Sequence, residues 1–146
     1  MGYEICELKT VEEWLTAFPV MNQLRTHLDE DMYIQMLTEM SKQGYRLFAL
    51  IDENKVCAVT GVINLINLYN GNHIYVYDLV TDEESRSKGY GEALLLYIHE
   101  LAENLGCSSV ALSSGLQRKD AHRFYEERMG YKRTSYAFVK ELWSFL

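Results

Sequence analysis

Residues 45–81 constrain the fold more than any other part of the chain. Three runs, "YRLFALI" (45–51), "KVCAVTGVINLINLY" (55–69) and "HIYVYDLVT" (73–81), are dense in β-branched and aromatic side chains. Such residues suit a pleated, half-buried surface. The spacers "DEN" and "NGN" hold the Asp, Asn and Gly that tight hairpin turns require. This pattern predicts three consecutive antiparallel strands, which need other elements packed on them to be stable.

The flanking segments supply that cover. "YEICEL" (3–8) alternates and reads as a short first strand. In "TVEE", Thr10 and Glu13 have the spacing of a capping box that opens a helix, with Trp14, Leu15 and Phe18 on its apolar side. Pro19, the only proline, is expected to break or kink it before "VMNQLRTHL" resumes. "DEDMYIQMLTEMSKQG" (29–44) is a second helix stopped by Gly44. After the strands come a helix over 89–105, a strand "CSSVALSS" (107–114), a helix over 119–130 and a last strand "TSYAFVKEL" (134–142). The order β, two helices, three-strand meander, then α, β, α, β describes an α+β sandwich around a mixed, mostly antiparallel central sheet. With 146 residues, 48% of them hydrophobic, the chain suits one domain spanning 1–146.

Charge and cysteine usage narrow the partners. Asp and Glu exceed Lys and Arg by 21 to 14, a net charge of −7, which argues against a nucleic-acid binder. Cys6, Cys57 and Cys107 form no CxxC pair, so neither a disulfide framework nor a metal site is expected, and a reduced cytoplasmic setting fits. His73, His99 and His122 show no metal spacing. No apolar run approaches the roughly 20 residues of a membrane helix, and the N-terminus lacks the pattern of a signal peptide.

Chemistry concentrates at "DEESRSKGYGEALLLYIHE", where a strand ends, a loop follows and a helix begins. Gly89 and Gly91 allow close approach to the backbone. The first amides of the helix and the positive end of its dipole form an anion site. Arg86 and Lys88 add cations, and the amides of Ser87, Lys88, Gly89, Tyr90, Gly91 and Glu92 are placed to cradle a pyrophosphate. A flexible turn before a helix is the plainer reading of the same residues. No Gly-Lys-Ser/Thr and no third glycine are present, which excludes a nucleotide P-loop and a dinucleotide fingerprint.

Arg86-Ser-Lys-Gly89-Tyr-Gly91 resembles the R/Q-x-x-G-x-G/A signature of the GNAT superfamily of N-acetyltransferases, and "AHRFYEERMGY" resembles that family's second motif. The resemblance implies a GNAT-like fold that binds acetyl-CoA as cosubstrate. It implies that the loop amides hold the coenzyme A pyrophosphate and that the backbone of Leu79, Val80 and Thr81 pairs with pantetheine. Ser114, at the end of the fifth strand, is implied on the other side of the cofactor slot. Helical periodicity alone makes Tyr125 a core aromatic beside Phe124; the matching motif makes it the acid that protonates the departing thiolate. Where many family members have an asparagine, seven residues before this tyrosine, the chain has Arg118.

Direct acetyl transfer needs a neutral amine, and Asp78 is the best-placed carboxylate to act as base; a partner for a nearby Arg or a bulged backbone is the competing role. Asp82, Glu83 and Glu84 read as surface charge or helix-start residues. Tyr75 and Tyr77 share a strand face that could line an acceptor pocket. The expected activity is acetyl transfer to a primary amine of a small molecule or peptide. A non-catalytic acyl-CoA-binding sensor or complex subunit is the rival. The apolar end of the chain, with Trp143, Phe145 and Leu146, suits a homodimer.

Overall fold

The structure, a computed structural model, describes residues 2–144. They fall into two compact units that divide after Ala111. The first holds β1 (Tyr3–Leu8), α1 (Val11–Leu24), α2 (Glu30–Lys42), β2 (Arg46–Asp52), β3 (Lys55–Asn67), β4 (Gly71–Thr81), a 3₁₀ turn (Glu83–Ser85), α3 (Tyr90–Asn104) and the start of β5 (Ser109–Leu112). The sheet order is β1-β2-β3-β4-β5. β1 to β4 are antiparallel neighbours, and β5 is reached from β4 through the α3 crossover, which makes the sheet mixed.

Alternation along β2 sorts the core into two layers. Leu47 and Ala49 join Trp14, Ala17, Val20, Met21, Tyr33 and Leu37 under α1 and α2. Phe48 turns the other way and meets Tyr97 of α3, with ring centroids 5.6 Å apart. Leu94, Leu95 and Ile98 are fully buried along α3. The sheet is thus sandwiched by α1 and α2 on one face and by α3 on the other.

Caps and turns follow the sequence. Thr10 and Glu13 form the reciprocal capping box of α1, and Asp29 caps α2 by accepting from the Met32 amide. The two-residue β2–β3 turn places Glu53 and Asn54 at φ 52° and 62°, the left-handed pair of a type I′ hairpin. Pro19 departs from expectation: α1 runs unbroken from Val11 to Leu24. Pro19 lies on the exposed side, where water can serve the carbonyl it leaves unpaired, while buried Ala17, Val20 and Met21 hold the helix in place.

The second unit contains α4 (Lys119–Arg123), continued by a π-turn over Phe124–Arg128. The strand expected over 134–142 does not form among the described residues; Tyr136, Phe138, Val139 and Leu142 are exposed. An alternating pattern makes a segment able to be a strand, but only a ladder partner makes it one. Of the apolar C-terminal residues singled out in the sequence, Phe145 and Leu146 lie outside the described residues. No helix among the described residues is long and apolar enough to cross a membrane.

Candidate active site

The glycine loop is built wholly within the first unit. β4 ends at Thr81, Asp82 opens the 3₁₀ turn, and Arg86, Ser87 and Lys88 lead to Gly89, the N-cap of α3. Ser87 and Gly89 both take left-handed backbone, at φ 67° and 80°. For a serine that conformation stores roughly 1 kcal/mol of strain, of the kind kept at ligand-binding turns. The N-cap Gly89 has no side chain with which to cap α3, and the first backbone bond of the helix runs from the Ala93 amide to the Gly89 carbonyl, 3.0 Å. The amides ahead of that bond form the positive end of a 15-residue helix. Arg86 and Lys88 are exposed and take part in no ion pair among the described residues. At Gly91 an added Cβ would stand 3.3 Å from Thr81 Oγ1, so the missing side chain lets the helix start settle on the end of β4.

Side chains pin this loop from outside. The Tyr90 hydroxyl donates to the Asp52 carboxylate in the β2–β3 turn, and that bond, with burial, pushes its pKa up to about 12. Tyr90 therefore offers the loop its amide and turns its ring inward, edge-on to Tyr3. Asp82 is buried, so of the two roles expected of it surface charge does not hold and helix start does: its side chain caps the 3₁₀ turn by accepting from the Glu84 amide. It accepts from Gln23 Nε2 at 3.0 Å and pairs with Lys55 Nζ at 3.1 Å, which holds its carboxyl below the usual range.

β4 is bulged just before its end. Gly61 pairs with Asp78 and Val62 with Val76, so Tyr77 has no opposite number on β3. Three side chains lock this bulge. Arg25 donates from Nε to Asp78 Oδ1 at 2.9 Å and from Nη2 to the Tyr77 carbonyl at 2.7 Å. The Tyr45 hydroxyl donates to Asp78 Oδ2 at 2.6 Å. Burial, then the adjacent Asp78 charge, raises the Tyr45 pKa well above its ordinary value. Beyond the bulge, Leu79, Val80 and Thr81 pair with Thr60, Val59 and Ala58 of β3. β5 starts beside Asn72, where the Ser108 amide donates to the Asn72 carbonyl at 2.8 Å. Its four residues span only about 13 Å. Along that length β5 runs out before Leu79. Tyr75 and Tyr77 do share a face, 5.6 Å apart, and Tyr77 stacks on Tyr45.

In the second unit Tyr125 sits in the π-turn, a feature often found at functional positions. It is buried between Phe124 and Tyr131, whose centroids lie 5.4 and 5.9 Å away. Burial raises its pKa, and the positive charge of Arg118 pulls the other way. Ser114 Oγ is buried without a hydrogen-bond partner among the described residues. His122 Nε2 lies 2.8 Å from the Gly115 carbonyl, so its ring is already engaged.

The sequence profile of the acetyltransferase (GNAT) family matches residues 8–131, which takes in both units. The chain belongs to the GNAT family of acetyltransferases. A relative from Bacillus subtilis (strain 168), the uncharacterized N-acetyltransferase YhdJ, is 44% identical over 135 residues, covering 92% of this chain and 95% of its own. The aminoalkylphosphonate N-acetyltransferase of Salmonella typhimurium is 36% identical over 88 residues, 58% of this chain and 56% of its own. Among solved structures, a GNAT family acetyltransferase from Staphylococcus aureus superposes with TM-score 0.79 at 23% identity, over 97% of this chain and 100% of the other. The aminoglycoside N-acetyltransferase AAC(6')-Iy in complex with CoA gives TM-score 0.83 at 12% identity, over 96% and 94%. At these identities the structural matches speak to the fold, and the fold is that of GNAT proteins.

Some of this GNAT protein's site escaped sequence reading. Gln23 and Arg25 come from the end of α1 and Tyr45 and Asp52 from the two ends of β2, and nothing in their local spacing links them to Asp78, Asp82 or Tyr90. One signal was present. Gly61 interrupts a β-branched run, and glycine inside a strand marks a bulge or a close approach. Here both apply: a Cβ on Gly61 would stand 1.5 Å from Tyr45 Oη. A surface cleft of about 400 Å³ under α2, lined by Glu7, Trp14, Leu37, Ser41 and Arg46, contains none of the residues expected in the site.

Proposed function

We propose that this GNAT protein transfers the acetyl group of acetyl-CoA to a primary amine of a small molecule or peptide, as a single cytoplasmic domain that works without a metal. One observation carries the reading: after β4 and a 3₁₀ turn, α3 begins at Gly89 through a turn with two left-handed residues beside two cations that form no ion pair among the described residues. That arrangement suits a pyrophosphate. Gly89 and Gly91 admit it, the amides from Ser87 to Glu92 donate to it, and Arg86 and Lys88 balance its charge. The pantetheine arm pairs with Leu79, Val80 and Thr81, and the Ser114 hydroxyl, without a partner among the described residues, is read as a further contact to the cofactor. An aminoalkylphosphonate N-acetyltransferase among this chain's relatives, and an aminoglycoside N-acetyltransferase that shares its fold, support an amine as acceptor.

In the reaction the amine nitrogen attacks the thioester carbonyl carbon, the C–S bond breaks, and the thiolate takes the proton of the Tyr125 hydroxyl. Burial keeps that hydroxyl protonated at neutral pH. Asp78 is read as an anchor, the role that competes with that of base: Arg25 donates to one of its oxygens and Tyr45 to the other. The proton shed by the amine nitrogen passes to water, and water returns one to the Tyr125 oxygen. The exposed apolar residues after Tyr131 are read as a contact with a second copy.

Calorimetric titration with acetyl-CoA, beside adenosine 3′,5′-bisphosphate as a fragment control, tests the reading. Gly89→Val forces a β-branched residue into left-handed backbone, at a cost of about 1–2 kcal/mol, and closes the loop. Binding that is lost in a folded Gly89→Val protein is the expected result. No binding to the wild type overturns both the enzyme and the sensor. Binding without turnover across a wide amine panel favours the sensor.

A further inference from the structure

The end of α1 carries three polar side chains, each reaching beyond the helix. Asn22 Nδ2 donates to the carbonyls of Arg25 and Leu28, at 2.9 and 3.0 Å, and so fixes the path from α1 to α2. Gln23 uses both halves of its amide on one turn: Nε2 donates to Asp82 Oδ1 and Oε1 accepts from the Glu83 amide, both at 3.0 Å. Arg25 grips the bulge with two donors, to Asp78 Oδ1 and the Tyr77 carbonyl. The two grips lie on either side of Leu79, Val80 and Thr81.

These bonds do more than attach the helix. Ala17, Val20 and Met21 already bury its apolar side. Gln23 and Arg25 instead meet the strand at two-point contacts, which fix direction and distance. The partner carboxylates, Asp78 and Asp82, are 8% and 7% exposed, so the bonds to them are partly shielded from water, while those to the Tyr77 carbonyl and from the Glu83 amide lie at the surface. Tyr77 is also the residue that the bulge leaves out of register. A shift of residues 77–83 therefore cannot occur without moving the last turn of α1 and the connection behind it.

We propose that Gln23 and Arg25 are positioning residues that couple coenzyme A occupancy of the strand and loop at 79–92 to the placement of the α1–α2 connection at 22–29. The proposal rests on the reading of that loop as the coenzyme A cradle. It requires no contact between the ligand and α1: the two clamps carry the coupling.

Hydrogen exchange on the full chain, with and without saturating coenzyme A, tests it. In the wild type, amides at 79–92 and at 22–29 both slow on binding, the latter by about threefold or more. Gln23→Met keeps the volume but loses both hydrogen bonds, and Arg25→Lys keeps the charge but loses the two-point grip. In each variant protection at 79–92 persists while the response at 22–29 disappears. Two variants guard against a failure of either to fold. A wild type that protects 79–92 with no change at 22–29 overturns the coupling and leaves the cradle standing. A response at 22–29 that survives in both variants overturns the clamps. Coenzyme A that fails to protect 79–92 overturns the cradle, and the coupling falls with it.

Discussion

Tyr125 is buried in a π-turn, and its burial matters to chemistry because it acts on the proton. An acid must be protonated to work, and a raised pKa widens the range in which it is. On the proposed mechanism the contribution of Tyr125 is therefore expected to be level through neutral pH and to fall only above the ordinary tyrosine value of about 10. Tyr125→Phe removes the proton and keeps the ring. Acetyl-CoA binding is expected within about threefold of wild type, and kcat lower by more than tenfold. Steady-state kinetics beside calorimetry separates the two; equal losses in both would make Tyr125 a packing residue. The adjacent hydrophobes at Phe124 and Tyr131 explain why periodicity alone reads this tyrosine as core. It is core by position, and only the motif around it suggests a task.

Between elements, the clearest dependence is that of the β4 bulge on Gly61. Any Cβ there meets Tyr45 Oη at 1.5 Å and Cζ at 2.2 Å. Gly61→Ala must expel the ring and break the Tyr45–Asp78 bond. The expected loss is about 3 kcal/mol or more, seen as a melting temperature lower by roughly 6–12 °C. Tyr45→Phe in the same chain does not relieve it, because Cζ remains. A melt unchanged in Gly61→Ala would mean that the bulge has another lock. The strands that carry this device were legible: β2, β3 and β4 fall within two residues of the runs read from composition and turns. So was the capping box of α1, which is a local pattern. The bulge partners were not, since Arg25 and Tyr45 lie 53 and 33 residues from Asp78 in sequence. Of the break or kink expected at Pro19 the break does not occur, since tertiary packing of Ala17, Val20 and Met21 holds the helix through it.

For the whole molecule, burial is uneven. Beyond Ala111 the only buried residue among those described is Tyr125, while Phe138 is 93% exposed. So small a core does not stabilise 35 residues by itself. A second copy covering Tyr136, Phe138, Val139 and Leu142 would supply the missing burial. Sedimentation equilibrium is expected to give a dimer for the wild type and a monomer for Phe138→Asp; a monomeric wild type rejects the contact. The bare N-terminus of α3 has its own consequence for the bench. On the proposed reading, an anion cradle takes whatever anion the buffer offers, so phosphate, sulfate and citrate are expected to compete with the donor substrate and steady the protein without being its substrate. In such buffers a thermal-shift screen would rank acyl donors by what they displace, and weak donors would look inert. The same screen in chloride at low ionic strength would report what they bind.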